Sequence, residues 1–327
     1  MDRLSEQVRA ALAAADDPAL SATERAEMLM EIAVGIQRQP PLVVYLTSAV
    51  ELYDRALALC PAEARGLAAR IRLHRATALQ VMPGDDPGNL EAARADYQRA
   101  LPVVVELGTP EEVAEAELNF GLVLQTLAGV QRAPIGDAIK AYQRALRTFD
   151  RARFPREFAI LQNNLATAFL SIPLTDERAR LREALAVQAF EDGLAIVSLI
   201  DHPAEYAMLQ NNLGNALQYA SSSHAVENNL RALDAYDEAL KVRTRDTRPL
   251  EYANTISNKA NCLWNLPDNP GGPGTGRAGN LEAARAHYAE ARELFARHGE
   301  AAKARSAGDA CDQIDRELLA GDAGSPA

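Results

Sequence analysis

Apolar residues recur along the chain at the spacing of one face of an α-helix. Between residues 89 and 107 the apolar positions are Leu90, Ala93, Tyr97, Ala100, Leu101 and Val104. Residues three, four and seven apart lie on the same side of a helix, so this stretch predicts an amphipathic helix with one buried face. Alanine and leucine, both strong helix formers, supply most apolar positions. The pattern therefore predicts an all-α protein.

Part of this stripe repeats six times as alanine, an aromatic residue four positions later, and a small residue three positions after that. The six aromatics are Tyr53, Tyr97, Tyr142, Phe190, Tyr236 and Tyr288. Their intervals are 44, 45, 48, 46 and 52 residues. A recurring interval of this length predicts an array of helical repeats, with the aromatics in the core rather than around a cofactor.

A second motif, proline followed two residues later by glutamate, lies between the aromatic motifs. Its copies begin at Pro61, Pro110, Pro155, Pro203 and Pro249. Proline suits the first turn of a helix, and glutamate is favoured at the positive helix end. Each copy is therefore predicted to open the first helix of a pair, called helix A here. The aromatic motif then lies on the second helix, B.

Together the motifs predict six A/B pairs between two terminal helices. The N-terminal helix is expected within residues 1–22, and a capping helix at 300–319. The pairs are expected at 23–60, 62–107, 111–150, 156–200, 204–244 and 250–298. Residues 320–327 are expected to be a disordered tail. The glycine- and proline-rich segment 267–279 is expected to be a mobile loop.

Amide side chains are concentrated on the predicted A helices. At residues 204–220, one face carries Met208, Asn211, Asn215 and Gln218. Neighbouring A helices place Asn163, Asn261 and Trp264 at matching positions. A second column, one residue further along, consists of Asn119, Asn164, Asn212 and Asn258. These residues are the candidate site.

An amide offers donors and an acceptor together, which suits an extended peptide backbone. The same side chains could instead bond between adjacent A helices and brace the array. For the second column both interpretations stay open, whereas Asn211, Asn215 and Asn261 are expected to contact a ligand. Trp264 is either an anchor for a partner or core beneath the capping helix.

The stretch Gln210-x-x-Leu213-Gly214-x-x-Leu217, followed by Ala232-x-x-x-Tyr236 and Pro249, resembles the tetratricopeptide repeat consensus. The units are longer than the usual repeat of about 34 residues, and glutamine replaces the consensus tryptophan. Long units of this kind resemble those of kinesin light chains and of bacterial repeat arrays associated with CHAT and STAND proteins. The resemblance implies a right-handed α-α superhelix whose A helices line a groove, with asparagines that hold a peptide backbone.

Composition narrows the function further. The net charge is −11, so the chain lacks the basic character expected of a nucleic-acid partner. Three distant cysteines without a C-x-x-C spacing predict neither a disulfide framework nor a zinc site, and favour a reducing, cytoplasmic environment. The N-terminus has no signal-peptide pattern, and no apolar stretch of about 18 residues predicts a membrane span.

Candidate catalytic groups are sparse. The five histidines are not paired with other ligands at metal-binding spacing, so no metal or cofactor is expected. Cys262 is expected to be a buried structural thiol rather than a nucleophile. The glycine-rich segment 271–276 lacks the Gly-Lys-Ser/Thr ending of a phosphate loop.

The resulting prediction is a non-catalytic bacterial scaffold that binds a protein or peptide partner in its groove. One alternative is a ligand-gated regulator that controls an effector such as a protease. A helical-array enzyme is the alternative with least support. The surface of the first repeat has no clear polar cap beyond the N-terminal helix, so a homodimer through that end is a further expectation.

Overall fold

The structure is a computed structural model that describes residues 2–39, 42–84, 87–173, 178–220, 224–266 and 276–322. Within these ranges every regular element is an α-helix, which confirms the all-α class. The helices are α1 (Asp2–Ala14), α2 (Ala22–Gln37), α3 (Val43–Leu59), α4 (Arg65–Gln80), α5 (Gly88–Leu107), α6 (Pro110–Gly129), α7 (Ile135–Ala145), α8 (Pro155–Leu170), α9 (Arg178–Leu194), α10 (Pro203–Gln218), α11 (Ala225–Leu240), α12 (Pro249–Asn265), α13 (Arg277–Arg297) and α14 (Ala301–Asp322).

The chain divides into two compact units, residues 1–150 and 151–327. The first unit contains α1 and the pairs α2/α3, α4/α5 and α6/α7. The second contains the pairs α8/α9, α10/α11 and α12/α13, followed by α14. A single array running from 23 to 298 stays a prediction, and the units are described separately.

Inside each unit the A helices form a layer of their own. In the first unit α4 contacts both α2 and α6, and in the second α10 contacts both α8 and α12. Every B helix packs against its own A helix, and α3, α5, α9 and α11 also pack against the A helix that follows in the same unit. Side chains on the face that the A helices turn away from the B helices therefore share one surface in each unit, called the A-helix surface here.

Proline opens four of the A helices, as predicted. Pro155, Pro203 and Pro249 occupy the first turns of α8, α10 and α12. At α6 the first turn is also capped, because Thr109 Oγ1 accepts from the Glu112 amide while Glu112 Oε2 accepts from the Thr109 amide.

The prediction for the proline motif at Pro61 is wrong. Helix α4 begins at Arg65, and a turn precedes it in which the Ala64 amide donates to the Pro61 carbonyl over 3.0 Å. The Ala64 amide is thus committed to the turn. No side chain caps the start of α4.

The repeated aromatic residues form the core of the pairs. Tyr53, Tyr97, Tyr142, Phe190 and Tyr236 are fully buried, and Tyr288 is nearly so. The hydroxyl groups reach the C-terminal half of the paired A helix. Tyr53 donates to Gln37 and Tyr142 to Gln125 over 2.7 Å each, and Tyr97 lies 3.1 Å from the Thr77 hydroxyl.

Two glycines allow the closest approach of ring and helix. A Cβ atom at Gly121 would lie 2.4 Å from the Tyr142 ring, and one at Gly214 would lie 2.6 Å from the Tyr236 ring. Carbon atoms do not approach that closely, so these positions require glycine while the rings stay in place. The signature Leu213-Gly214 is therefore a packing requirement of the pair.

The chain ends depart partly from expectation. Helix α1 buries Leu4, Val8 and Ala11 against the first pair, as a cap. Helix α14 extends to Asp322, so the predicted disordered tail is wrong for residues 320–322, while 323–327 lie outside the described residues. Helix α13 already begins at Arg277, so the predicted loop 267–279 is too long, and its residues 267–275 lie outside the described residues.

The variant Gly214→Ala tests the packing of ring against glycine. In a helix interior, glycine to alanine normally stabilises by about 0.5–1 kcal/mol. Here overpacking against the buried Tyr236 ring is expected to lower the free energy of unfolding by about 1–3 kcal/mol. Thermal melting followed by far-UV circular dichroism measures the difference.

Gly35→Ala is the matched control. Gly35 lies inside α2, and a Cβ atom there would meet no atom within 4 Å. This variant should melt at the same temperature as the wild type or higher. Equal melting of both variants would contradict the packing argument.

Candidate functional site

Five of the predicted site residues form a continuous chain of hydrogen bonds across the second unit, the amide ladder. It runs from α12 through α10 to α8. Asn258 Nδ2 donates to Asn211 Oδ1 over 3.2 Å, and Asn211 Nδ2 to Asn212 Oδ1 over 3.0 Å. Asn212 Nδ2 donates to Asn163 Oδ1 over 2.7 Å, and Asn163 Nδ2 to Asn164 Oδ1 over 3.2 Å.

The amide ladder braces the A helices. Asn163, Asn164 and Asn211 are each only 7% exposed. The Asn211 carbonyl oxygen also lies 3.1 Å from the hydroxyl of Thr255, which itself accepts from Arg243 over 3.0 Å. The expectation that Asn163 and Asn211 present their amides to a ligand is therefore wrong, because both are buried and bonded to neighbouring helices. Asn212 and Asn258 are half-buried members of the same network.

One polar atom of the amide ladder stays unsatisfied. Asn164 Nδ2 is buried and has no hydrogen-bond partner among the described residues. A buried donor without a partner carries a desolvation cost. This cost falls at the Asn164 end of the ladder.

Asn215 and Gln218 share the hydroxyl of Tyr236. Their side-chain oxygens lie 2.8 and 2.9 Å from Tyr236 Oη, and Gln218 Nε2 is buried without a partner among the described residues. One hydroxyl hydrogen cannot serve two oxygens. With the Gln218 amide turned by 180°, Nε2 donates to Tyr236 Oη while Tyr236 donates to Asn215 Oδ1, so the hydroxyl makes one bond as donor and one as acceptor. Met208, on the same helix, is half-exposed.

Asn261 and Trp264 lie at the end of the second unit. Asn261 Nδ2 donates to Tyr219 Oη over 2.6 Å. Trp264 Nε1 donates to Glu317 of α14 over 3.1 Å, and the indole meets the Tyr288 ring edge-on, with centroids 6.3 Å apart. Trp264 thus packs beneath the capping helix. One side of it lines a polar cavity of about 380 Å³ with Asn261, Asn265, Arg277, Gln313 and Glu317.

The remaining predicted residue, Asn119, belongs to the first unit and differs from all the others. It lines a cavity of about 170 Å³ between α4 and α6, called the α4/α6 cavity here. The lining residues are Arg70, Leu73, His74, Thr77, Tyr97, Glu112, Glu115, Ala116 and Asn119. Within the described residues, the Asn119 side chain makes no hydrogen bond.

Most charges around the α4/α6 cavity are compensated. Arg70 donates to both oxygens of Glu112, over 2.8 and 3.4 Å. These bonds, with the Thr109 amide, hold the pKa of Glu112 below its usual value. Burial, with the nearby Arg38 charge, lowers the pKa of His74, which is therefore neutral at neutral pH. Glu115 is exposed and makes no ion pair among the described residues.

Several of these residues were missed from the sequence. Thr255 extends the amide ladder, and Arg70, His74 and Glu115 line the α4/α6 cavity. Glu115 could have been found, because it lies four residues before Asn119 and so on the same helix face. The others become neighbours only when adjacent A helices pack together.

Cys262, the cysteine beside Asn261 on α12, has a structural role. It is fully buried, and its thiol donates to the Asn229 carbonyl over 3.2 Å. Burial raises the pKa of the Cys262 thiol to about 12. The thiolate needed for nucleophilic attack is therefore scarce at neutral pH.

Other chemistry finds little support in the described part of the chain. No three side chains among His, Cys, Asp and Glu come together there as a metal site. None of the helices described has both the length and the apolar character needed to cross a membrane. The phosphate-loop candidate at 271–276 lies outside the described residues except for Gly276.

Solved structures similar to this chain are helical repeat proteins. BtubC (BKLC) from P. vanneervenii superposes with a TM-score of 0.54 and 19% identity, covering 81% of this chain and 92% of that one. A STAND signal-transduction ATPase with a tetratricopeptide repeat sensor, from Pyrococcus horikoshii, gives a TM-score of 0.57 and 10% identity over 91% of this chain. The chain spans 43% of the length of that STAND protein.

These comparisons define a class of protein by its fold. The chain has a helical repeat fold of the tetratricopeptide type, as its sequence motifs predict. No protein-family model matches the sequence, and no curated protein matches it. At identities of 10 and 19% the likeness establishes the fold alone.

Replacing Asn211 by alanine tests the amide ladder. The change leaves Asn258 Nδ2 and Asn212 Oδ1 without their partner, so the free energy of unfolding is expected to fall by about 1–3 kcal/mol. Thermal and urea unfolding followed by circular dichroism give the value. Asn265→Ala, at the exposed end of α12, is the control and should change stability by less than about 0.5 kcal/mol. If Asn211→Ala melts at the same temperature as the wild type, the amide ladder does not brace the A helices.

Cysteine reactivity tests the burial of Cys262. In the native protein at neutral pH, Cys262 should stay unmodified by a thiol reagent such as iodoacetamide, because it is buried and protonated. Half-buried Cys60 should react first. In denaturant all three cysteines should react. Peptide mass spectrometry identifies the modified residue, and rapid native labelling of Cys262 would contradict its structural role.

Proposed function

We propose that this chain is a non-catalytic interaction array that holds an extended segment of a partner protein on its A-helix surface. The observation that supports this most directly is that Asn119 and Glu115 lie beside the α4/α6 cavity with no side-chain partner among the described residues. The exposed Glu115 carboxylate and the half-buried Asn119 amide are therefore available to a ligand. The fold supports the same proposal, since tetratricopeptide-type arrays present their A helices to partners.

In the second unit the proposed contacts are fewer than the sequence predicts. The amide ladder occupies five candidates, which leaves Met208, Asn215, Gln218 and Asn261 on the A-helix surface. Asn215 Nδ2 makes no hydrogen bond among the described residues, so it can donate to a peptide carbonyl. Trp264 contributes only the side that borders the 380 Å³ cavity.

The absence of catalysis is part of the proposal. Cys262 is buried with a raised pKa, and the described residues contain no cluster of metal ligands. Cys60, Cys262 and Cys311 are free thiols, which fits a reducing cytoplasm. A bacterial source and a homodimer through the first repeat also stay proposals.

Peptide selection tests the function without a known partner. A library of random peptides displayed on phage is selected against the full chain, and selected peptides are then measured by fluorescence anisotropy. Several hydrogen bonds of about 0.5–1.5 kcal/mol each support a dissociation constant near micromolar, about −8 kcal/mol. Asn119→Ala and Asn261→Ala are each expected to weaken the peptides that they contact by about tenfold.

Gln143→Ala is the matched control, since Gln143 is an exposed amide on the B helix α7. It should leave binding unchanged. Asn119→Ala and Gln143→Ala should melt like the wild type, because neither side chain makes a hydrogen bond among the described residues. Asn261→Ala loses one exposed bond, to Tyr219 Oη, and should lower the free energy of unfolding by no more than about 0.5–1.5 kcal/mol. A library that yields no binder, or binders indifferent to every A-helix variant, would contradict the proposal.

A further inference from the structure

We infer that the α4/α6 cavity is a recognition pocket for an arginine side chain of the partner. This inference rests on the proposed function and names the residue that the A-helix surface selects. The cavity holds about 170 Å³, below the roughly 300–1,000 Å³ of pockets for small-molecule ligands. A single long side chain is therefore the occupant whose size it suits.

Charge selects a cationic occupant. Among the described residues that line the cavity, Arg70 is the one cation. It is bonded to both oxygens of Glu112 and lies in the field of Glu27 on α2. His74 is neutral, because burial lowers its pKa. Glu115 therefore carries the one lining charge without a counter-ion among the described residues. An anionic occupant would face this carboxylate at close range, whereas a guanidinium would neutralise it.

Geometry selects arginine over lysine. Glu115 and Asn119 are four residues apart on α6, which places their Cβ atoms about 5–6 Å apart on one helix face. They offer a carboxylate and an amide oxygen side by side. A guanidinium presents several donors in a fixed planar fork that can engage two such acceptors together. An ammonium is a compact point charge that matches this pair less well.

The apolar lining of the cavity suits the stem of the side chain. Leu73, Ala116 and the buried Tyr97 line it, and the Tyr97 hydroxyl lies 3.1 Å from that of Thr77. Arginine buries its methylene stem along apolar surface while its head stays at a polar rim. The neutral His74 ring adds a flat wall without a competing charge.

The experiment uses capped amino acids as probes of the full chain. N-acetyl-arginine-N-methylamide, its lysine counterpart and its citrulline counterpart are titrated into isotope-labelled protein and followed by amide NMR. Citrulline has nearly the shape of arginine without the charge. The arginine probe is expected to bind with a millimolar constant and to shift amides of α4 and α6. Lysine should bind several-fold more weakly, and citrulline at least tenfold more weakly.

Two variants separate recognition from folding. Glu115→Gln should weaken the arginine probe about tenfold without changing the melting temperature, since Glu115 is exposed and unpaired among the described residues. Glu51→Gln is the control, because it removes the same charge from an exposed position on the B helix α3. It should leave probe binding intact.

The outcomes distinguish this inference from the proposed function. Equal binding of arginine and citrulline, equal binding of lysine, or indifference to Glu115→Gln would each overturn the arginine pocket. Selected peptides that depend on Asn119 yet lack arginine would overturn it too, while peptide binding itself would stand. If the peptide selection yields no binder and the capped amino acids shift no amide signal, both the arginine pocket and the proposed function are wrong.

Discussion

The structure depends on the distance between the two helices of each pair, and a buried aromatic ring fixes that distance. The Tyr236 ring fills the space that a Cβ atom at Gly214 would need, and Tyr142 does the same at Gly121. The hydroxyl then bonds to a polar side chain of the A helix, as Tyr142 does with Gln125. Apolar area drives the pairing, and the hydroxyl bond sets how the A helix is turned. In the pairs built on Tyr53, Tyr97, Tyr142 and Tyr236, the orientation of the A-helix surface follows from this arrangement.

Given that orientation, the neighbouring A helix decides what an asparagine does. Asn212 meets Asn163 across the gap between α10 and α8, so donor and acceptor satisfy each other. Asn119 lies beside α4, whose sequence between residues 65 and 80 contains no asparagine. What it meets there is a cavity with an arginine that Glu112 already engages. The same residue type at the same place in the repeat is thus a brace in the second unit, whereas in the first its side chain makes no hydrogen bond to another described residue.

The sequence predicts features that arise within one helix. Hydrophobic spacing and the proline motif locate helices such as α8, α10 and α12, and the six aromatics locate the core. The burial of Asn211 could not be predicted the same way. A helical wheel assigns Asn211 to a face, but its partners Thr255 and Asn258 come from another helix 44 and 47 residues away. The start of α4 at Arg65 was not predicted, because the Ala64 amide donates to the Pro61 carbonyl in a local turn before the helix begins.

Solvent access explains why Asn211 needs a hydrogen-bond partner inside the fold, whereas Asn119 does not. Asn211 is 7% exposed, so an unpaired amide there would carry the full cost of desolvation in every folded molecule. Glu115 is exposed and Asn119 half-exposed, so water satisfies both until a partner displaces it. In the proposed arginine pocket, binding exchanges hydrogen bonds to water for hydrogen bonds to the partner, and charge complementarity at Glu115 supplies the selectivity. Bracing residues must therefore lie between the A helices, and binding residues at the rim, even when both belong to one sequence column.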